Sequence, residues 1–174
     1  YGIDRTAISE GALNGFGYPN FDGIAHQLPW ANKEAEIDDG DVDKAKQILK
    51  EGGWEDTDGD GIVEKDGLKA SINVYYPSDA SERQAIAVTV AEQAKEFGIE
   101  VNATGSNWDE MDAIKSTDPI VWGFGSTDPS TMWSEYYSDQ AGVGYNNPSL
   151  INNSAVDAHI DNAMKSDRNS SFAE

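Results

Sequence analysis

The chain has 174 residues, no cysteine, and 32 acidic against 12 basic side chains, for a formal charge of −20. Its length suits one domain with a real core better than two, and its charge argues against nucleic acid or anionic lipid as partners, because phosphates would be repelled. Without cysteine there is neither a disulfide nor a thiolate nucleophile, and no apolar run is long enough to cross a bilayer.

The start, Tyr1-Gly2-Ile3-Asp4-Arg5, has no leader pattern and is expected to lie inside a longer chain. Ile3, Ala7, Ile8, Ala12 and Leu13 recur at helical spacing before Asn14-Gly15, so a helix over 3–13 is predicted. Residues 15–40 mix Gly, Pro and aromatics without a period and read as a surface loop. Asp41 is suited to cap a helix whose Val42, Ala45, Ile48 and Leu49 share a face, ending at Gly52-Gly53.

Next comes D-T-D-G-D-G-I-V-E-K-D-G, residues 56–67. Asp56, Asp58, Asp60, Gly61 and Ile62 match positions 1, 3, 5, 6 and 7 of an EF-hand-type calcium loop, with Ile62 offering its carbonyl. Position 12, where a bidentate Glu belongs, is Gly67, which leaves Glu64 or Asp66 to substitute. Two readings stand: a loop holding structural calcium through Asp56, Asp58, Asp60, Ile62 and Glu64, or a metal-free acidic turn, since Asp and Gly favour turns anyway.

Beyond the loop, residues 68–76 alternate, with Leu68, Ala70, Ile72, Val74 and Tyr76 on one side, and predict one half-buried strand ended by Pro77. Residues 81–97 carry Ile86, Val90, Ala94 and Phe97 along a helical stripe that Gly98 stops, and 99–101 return as a strand. Strand, helix and strand make a right-handed parallel βαβ unit, hence an α/β fold with a βαβ core and flanking helices. Short helices are predicted over 108–115, 129–137 and 154–165, and a third, buried strand over 120–124.

His26 and His159 stand in no catalytic setting, and no phosphate-binding glycine motif is present. The concentrated signal is W-G-F-G-S-T-D-P, residues 122–129, where an apolar strand ends in small and polar residues. Ligands of open α/β sheets meet the carboxyl ends of strands. Gly123 and Gly125 would let a ligand approach the backbone, Trp122 and Phe124 offer flat faces, and Ser126, Thr127 and Asp128 offer hydrogen bonds. The plain alternatives are a core Trp122 and a helix-capping Asp128.

Several segments together resemble one family. They are I-D-R-T-A-I-S-E-G-A-L-N-G-F-G at 3–17, A-K-Q-I-L-K-E-G-G-W at 45–54 with the D-x-D-G-D-G that follows, and A-E-Q-A-K-E-F-G-I-E-V at 91–101. W-G-F-G-S-T-D-P, Y-N-N-P at 145–148 and V-D-x-x-I-D-x-A-M at 156–164 complete the set. The chain is similar to the extracytoplasmic solute-binding proteins of ABC transporters that take up oligopeptides, dipeptides or nickel complexes. The resemblance implies the inserted lobe of a two-lobed periplasmic-binding-protein fold of class II, spanning 1–174. It also implies a non-catalytic monomer, periplasmic or lipid-anchored, that closes over a peptide or metal chelate and presents it to a membrane permease. In peptide-binding relatives the strand ending in Trp is followed after two residues by an acid that pairs with the peptide amine; here that position is Gly125, and Asp128 is the replacement expected. A calcium-stabilised extracellular interaction module is the second reading, and a glycoside-active enzyme the third.

Overall fold

The computed structural model describes residues 1–21, 23–29, 31–123, 128 and 130–165. Among them the helices are α1 Arg5–Ala12, α2 Val42–Glu51, α3 Ser81–Glu96, α4 Trp108–Ile114, α5 Thr131–Tyr136 and α6 Ser154–Lys165; the strands are β1 Glu64–Lys65, β2 Leu68–Lys69, β3 Ser71–Pro77 and β4 Glu100–Ser106. No helix of the described residues is long and apolar enough to cross a membrane. The chain divides into two compact units, the first made of Tyr1–Pro19, Ile37–Met111 and Asp118–Trp122, the second of Asn20–Glu36, Asp112–Thr117 and Gly123–Glu174.

The first unit is built on the predicted βαβ. β3 and β4 pair in parallel from Ser71↔Glu100 to Pro77↔Ser106, with α3 as the crossover. Helix α3 buries Ala87 and Ala94, whose small side chains let it approach its neighbours closely. Ala87 joins Val74 and Tyr76 of β3 in one apolar cluster, and Ala94 joins Phe97 and Ala45 of α2 in another. Val101 packs against both, so α2, α3 and the sheet share a continuous seam. Gly2 is needed at its place: a Cβ there would lie 2.5 Å from the Phe97 ring and 2.9 Å from Ala45. The N-terminus is further tied down by Asp4, whose main-chain N–H donates to Gln93 of α3 (2.9 Å), and by Arg5, paired with Asp39 at 3.0 Å.

The cap predicted at Asp41 is present, and Asp4, expected inside the first helix, instead caps its start. Asp41 accepts a bond from Lys44 N, and Asp4 one from Ala7 N, each satisfying an orphan donor of a first turn. Gly98 has φ of 90° and follows the Phe97 cap of α3.

All three predicted strands differ from what is observed; the one expected over 99–101 runs from Glu100 to Ser106, and the other two change more. Residues 68–76 do not run as one strand, because the chain changes partner at Ala70. Leu68–Lys69 pairs antiparallel with Glu64–Lys65, whereas Ser71–Pro77 pairs parallel with β4; Ala70 itself donates to Val63 and accepts from Glu100. Only the second half of the alternation is therefore buried: Val74 and Tyr76 are inside, but Leu68 is 69% and Ile72 46% exposed. The third strand shrinks to a single parallel bridge, Tyr75↔Ile120, held by Tyr75 N to Pro119 O (2.9 Å) and Val121 N to Tyr75 O (2.8 Å). Pro119 has no N–H to give a ladder, and Gly123 has no side chain to pack. Ile120, Val121 and Trp122 are half-buried, and Phe124 lies outside the described residues.

In the second unit α5 packs with α6, and polar groups hold the loop between them. Asn147 is fully buried: its amide donates to Tyr137 O (3.0 Å) and Ile151 O (2.8 Å), and its Oδ1 accepts from Ile151 N (2.8 Å). Asp157 of α6 accepts from Ser138 N at 2.8 Å. Glu135 is 7% exposed, bonded by Thr131 Oγ1 at 3.1 Å, and burial holds its carboxyl above the usual range. Gly23 makes room for it, since a Cβ there would stand 2.9 Å from Glu135 Oε2.

Candidate functional site

The parallel strands deliver two tryptophans to their carboxyl ends. β4 finishes at Ser106, Asn107 Oδ1 accepts from Glu110 N at 3.0 Å, and Trp108 opens α4. Ser106 donates to Glu110 Oε2 at 2.5 Å, which holds that carboxyl below its usual range and fixes the first turn of α4. On the neighbouring segment, the Tyr75↔Ile120 bridge sets Trp122 just past the sheet. The rings of Trp108 and Trp122 meet edge to face, with centroids 5.4 Å apart and planes at 85°. Trp108 is 42% exposed and Trp122 half-buried, so the pair is a surface feature supported from below.

Of the predicted ligand residues, Trp122 is thus not enclosed in the core, and Gly123 is exposed. Phe124, Gly125, Ser126 and Thr127 lie outside the described residues. Asp128 is exposed and its Oδ1 accepts from Ser130 N at 2.8 Å, an Asx turn just ahead of α5. Sequence reasoning left Trp108 without a role, placing it only at the start of a short helix. The signal was hidden, because the strand predicted over 99–101 runs on to Ser106 and only then sets Trp108 just past its carboxyl end.

The predicted metal residues are brought together. One carboxylate oxygen from each of Asp56, Asp58, Asp60 and Glu64 lies within 4.8 Å of the others. Asp56 accepts from Gly59 N and Gly61 N, Asp58 from Asp60 N, and Asp60 from Ile62 N, so each acid folds the loop around itself. Ile62 is buried. Glu64 enters because it begins the hairpin β1–β2, whose Asp66-Gly67 turn has both φ values positive (53° and 79°), the geometry that an Asp-Gly pair favours. Asp66 is therefore used in the turn, and Glu64 is the carboxylate that joins the cluster. Lys69, opposite Glu64 in the hairpin, puts its ammonium on Asp60, with Asp58 at 4.0 Å. That bond lowers the Asp60 pKa and raises the Lys69 pKa.

His26 Nδ1 lies 3.0 Å from Glu36 Oε1, both substantially exposed, and His159 is exposed on α6. The His26 contact pairs an imidazole with a carboxylate and brings no nucleophile to it.

Comparison with known proteins gives a consistent result. The sequence model of the bacterial extracellular solute-binding proteins, family 5 Middle, matches residues 1–144. Protein XP55 of Streptomyces lividans is 35% identical over 166 residues, covering 94% of this chain and 30% of that protein. The oligopeptide-binding protein AppA of Bacillus subtilis (strain 168) is 43% identical over 81 residues, 47% of this chain and 14% of AppA. The structure of AppA in complex with a nonapeptide superimposes with a TM-score of 0.80 at 29% identity, over 99% of this chain and 35% of AppA. NikZ from Campylobacter jejuni, in complex with Ni(L-His), superimposes with a TM-score of 0.85 at 20% identity, over 99% of this chain and 36% of NikZ, a likeness of fold. The chain spans less than a third of the length of these curated relatives.

Proposed function

We propose, from the premise that this chain belongs to the bacterial extracellular solute-binding proteins of family 5, that it is the inserted lobe of an ABC importer's capture protein, working outside the cytoplasmic membrane. The lobe closes with a second lobe over a peptide, a peptide-like solute or a nickel chelate, and the closed form is handed to the membrane permease. Its part is capture, not chemistry. The family match over residues 1–144 carries this reading; the identity to a peptide-binding protein over 81 residues favours peptide over chelate.

Within the lobe, the reading assigns solute contact to the stretch Trp122, Gly123, Phe124, Gly125, Ser126, Thr127 and Asp128, with Trp108 beside Trp122. The edge-to-face tryptophan pair, Trp108 exposed and Trp122 half-buried, supports this, since aromatic faces bury much area at small conformational cost. Gly125 offers no carboxylate to a peptide amine, so specificity rests on backbone and stacking contacts, with Asp128 the nearest acid in sequence.

The test uses the longer protein containing both lobes. Native mass spectrometry of the purified protein should reveal a retained solute, and calorimetry with a nonapeptide pool and with a nickel–histidine chelate should give saturable binding to one of them. Trp108→Ala and Trp122→Ala should each weaken that binding by about tenfold or more, as removal of central aromatic anchors does. Unchanged affinity in both variants would move the solute elsewhere on the lobe. Turnover of the peptide would overturn the capture reading.

A further inference from the structure

We propose, on the premise that this chain is the capture lobe described above, that its solute is a cationic peptide and that a Lys or Arg side chain of that peptide rests on the Trp108–Trp122 pair. Two separate features of the molecule meet there. The first is aromatic: the rings stand edge to face just past the carboxyl ends of neighbouring parallel segments, and Trp108 keeps 42% of its surface exposed. Indole is the best aromatic partner for an ammonium or guanidinium, because the electron-rich ring face attracts positive charge. An apolar side chain would also gain from burial there, so the rings by themselves do not select a cation.

The second feature is charge, and it is unevenly spread. Residues 96–164, which carry both tryptophans, include eleven acids and a single Lys or Arg, Lys115; the other eleven Lys and Arg residues fall outside that span. Lys115 is itself engaged, with its ammonium 2.8 Å from Asp112 Oδ1 and 4.9 Å from the centre of the Tyr145 ring. Asp109 and Glu110 follow Trp108 directly in the first turn of α4, and both are exposed. The bond from the Ser106 hydroxyl holds the Glu110 carboxyl below its usual range, so it is charged at neutral pH. First-turn acids also suit the dipole of α4, but that does not account for the shortage of bases across the whole span. Such a field draws cations toward the surface and repels anionic solutes. A cationic side chain that reaches the pair meets a ring face and carboxylates of the same helical turn together.

Equilibrium dialysis of the longer, two-lobed protein against three nonapeptide pools tests this, the pools being alike except at two positions fixed as Lys, Gln or Glu. Retained peptides are read by mass spectrometry. At low salt the Lys pool should be enriched over the Gln pool by about tenfold or more, and the Glu pool should be retained least. At about 1 M salt, where charges are screened beyond about 3 Å, the preference should narrow without vanishing, because a cation in contact with a ring is screened less than distant charges. Trp108→Leu, which keeps apolar surface and removes the indole, should cut the Lys-over-Gln preference by about threefold or more; circular dichroism checks that the variant folds. Equal retention of the Lys and Gln pools, or preference for Glu, overturns the cationic solute and leaves the capture role standing. A Lys preference that Trp108→Leu does not change and 1 M salt abolishes is diffuse attraction by the surface and overturns the tryptophan seat. Retention of a nickel–histidine chelate and of none of the pools overturns the peptide, and retention of neither overturns the capture role itself.

Discussion

The two units of the chain are organised on different interiors. In the first, regular elements are held by apolar packing: Ala45, Val74, Tyr76, Ala87, Ala94 and Phe97 are all buried, and Val101 links their clusters. In the second, the buried apolar side chains among the described residues are Ile24 and Ile160, and the interior also holds Glu135 and Asn147. Apolar packing is non-directional and tolerates small shifts, whereas a buried amide or carboxyl is stabilising only while every bond is made. The first unit should therefore respond to changes of volume, the second to changes of a single atom's hydrogen-bonding character.

The largest effect should come from Phe97→Ala, which removes an aromatic ring from between Gly2, Ala45 and Ala94. A loss of about 3–5 kcal/mol is expected in denaturant unfolding. A loss below about 1 kcal/mol would mean the seam relaxes around the gap and the contrast between units is overstated.

Asn147→Ala comes next. It deletes three side-chain bonds and strands Ile151 N and two carbonyls, at a cost of about 2–3 kcal/mol. The φ of 35° at Asn147 adds strain for alanine. Hydrogen exchange should report the damage in residues 134–160 and leave β3 and β4 protected; uniform loss of protection would join the two units into one cooperative block.

The smallest effect has the opposite sign. Glu135 has its carboxyl pKa raised by burial, so the acid form is favoured in the folded state; its contribution is present at low pH and lost as pH rises through the raised folded value. Glu135→Gln removes the charge and keeps one acceptor oxygen for the Thr131 and Tyr136 hydroxyls, both of which bond the carboxyl. It should stabilise the chain by about 0.5–1 kcal/mol at neutral pH and flatten the pH dependence of melting above the carboxylate range. A destabilised glutamine variant would show that the Thr131 and Tyr136 hydroxyls need both carboxyl oxygens, outweighing the cost of burying the charge.

Much of the first unit was legible because its signals are local. Asp41 and Gly98 mark helix ends by their own chemistry, and the stripe through Ala94 and Phe97 follows helical spacing, so parallel βαβ topology follows from order and length. The alternation from Leu68 to Tyr76 misled, since period two says strand without saying which partner, and the partner changes at Ala70. The Asp66-Gly67 turn was a hairpin signal hidden inside a stretch that also reads as a metal loop. Asn147 was quoted only as part of a family motif; nothing local distinguishes a buried amide from an exposed one.

The sequence by itself determined the α/β class, the alternation of Asp56, Asp58 and Asp60, the aromatic strand end at Trp122 and the family. Tertiary structure alone decided that Glu64 joins those acids, that Lys69 leans on them, and that Trp108 stands against Trp122. The reason is one of range. Capping, turns and periodicity are settled within a few residues of chain, but which side chains converge depends on strand register, where a slip of one residue turns each side chain to the opposite face.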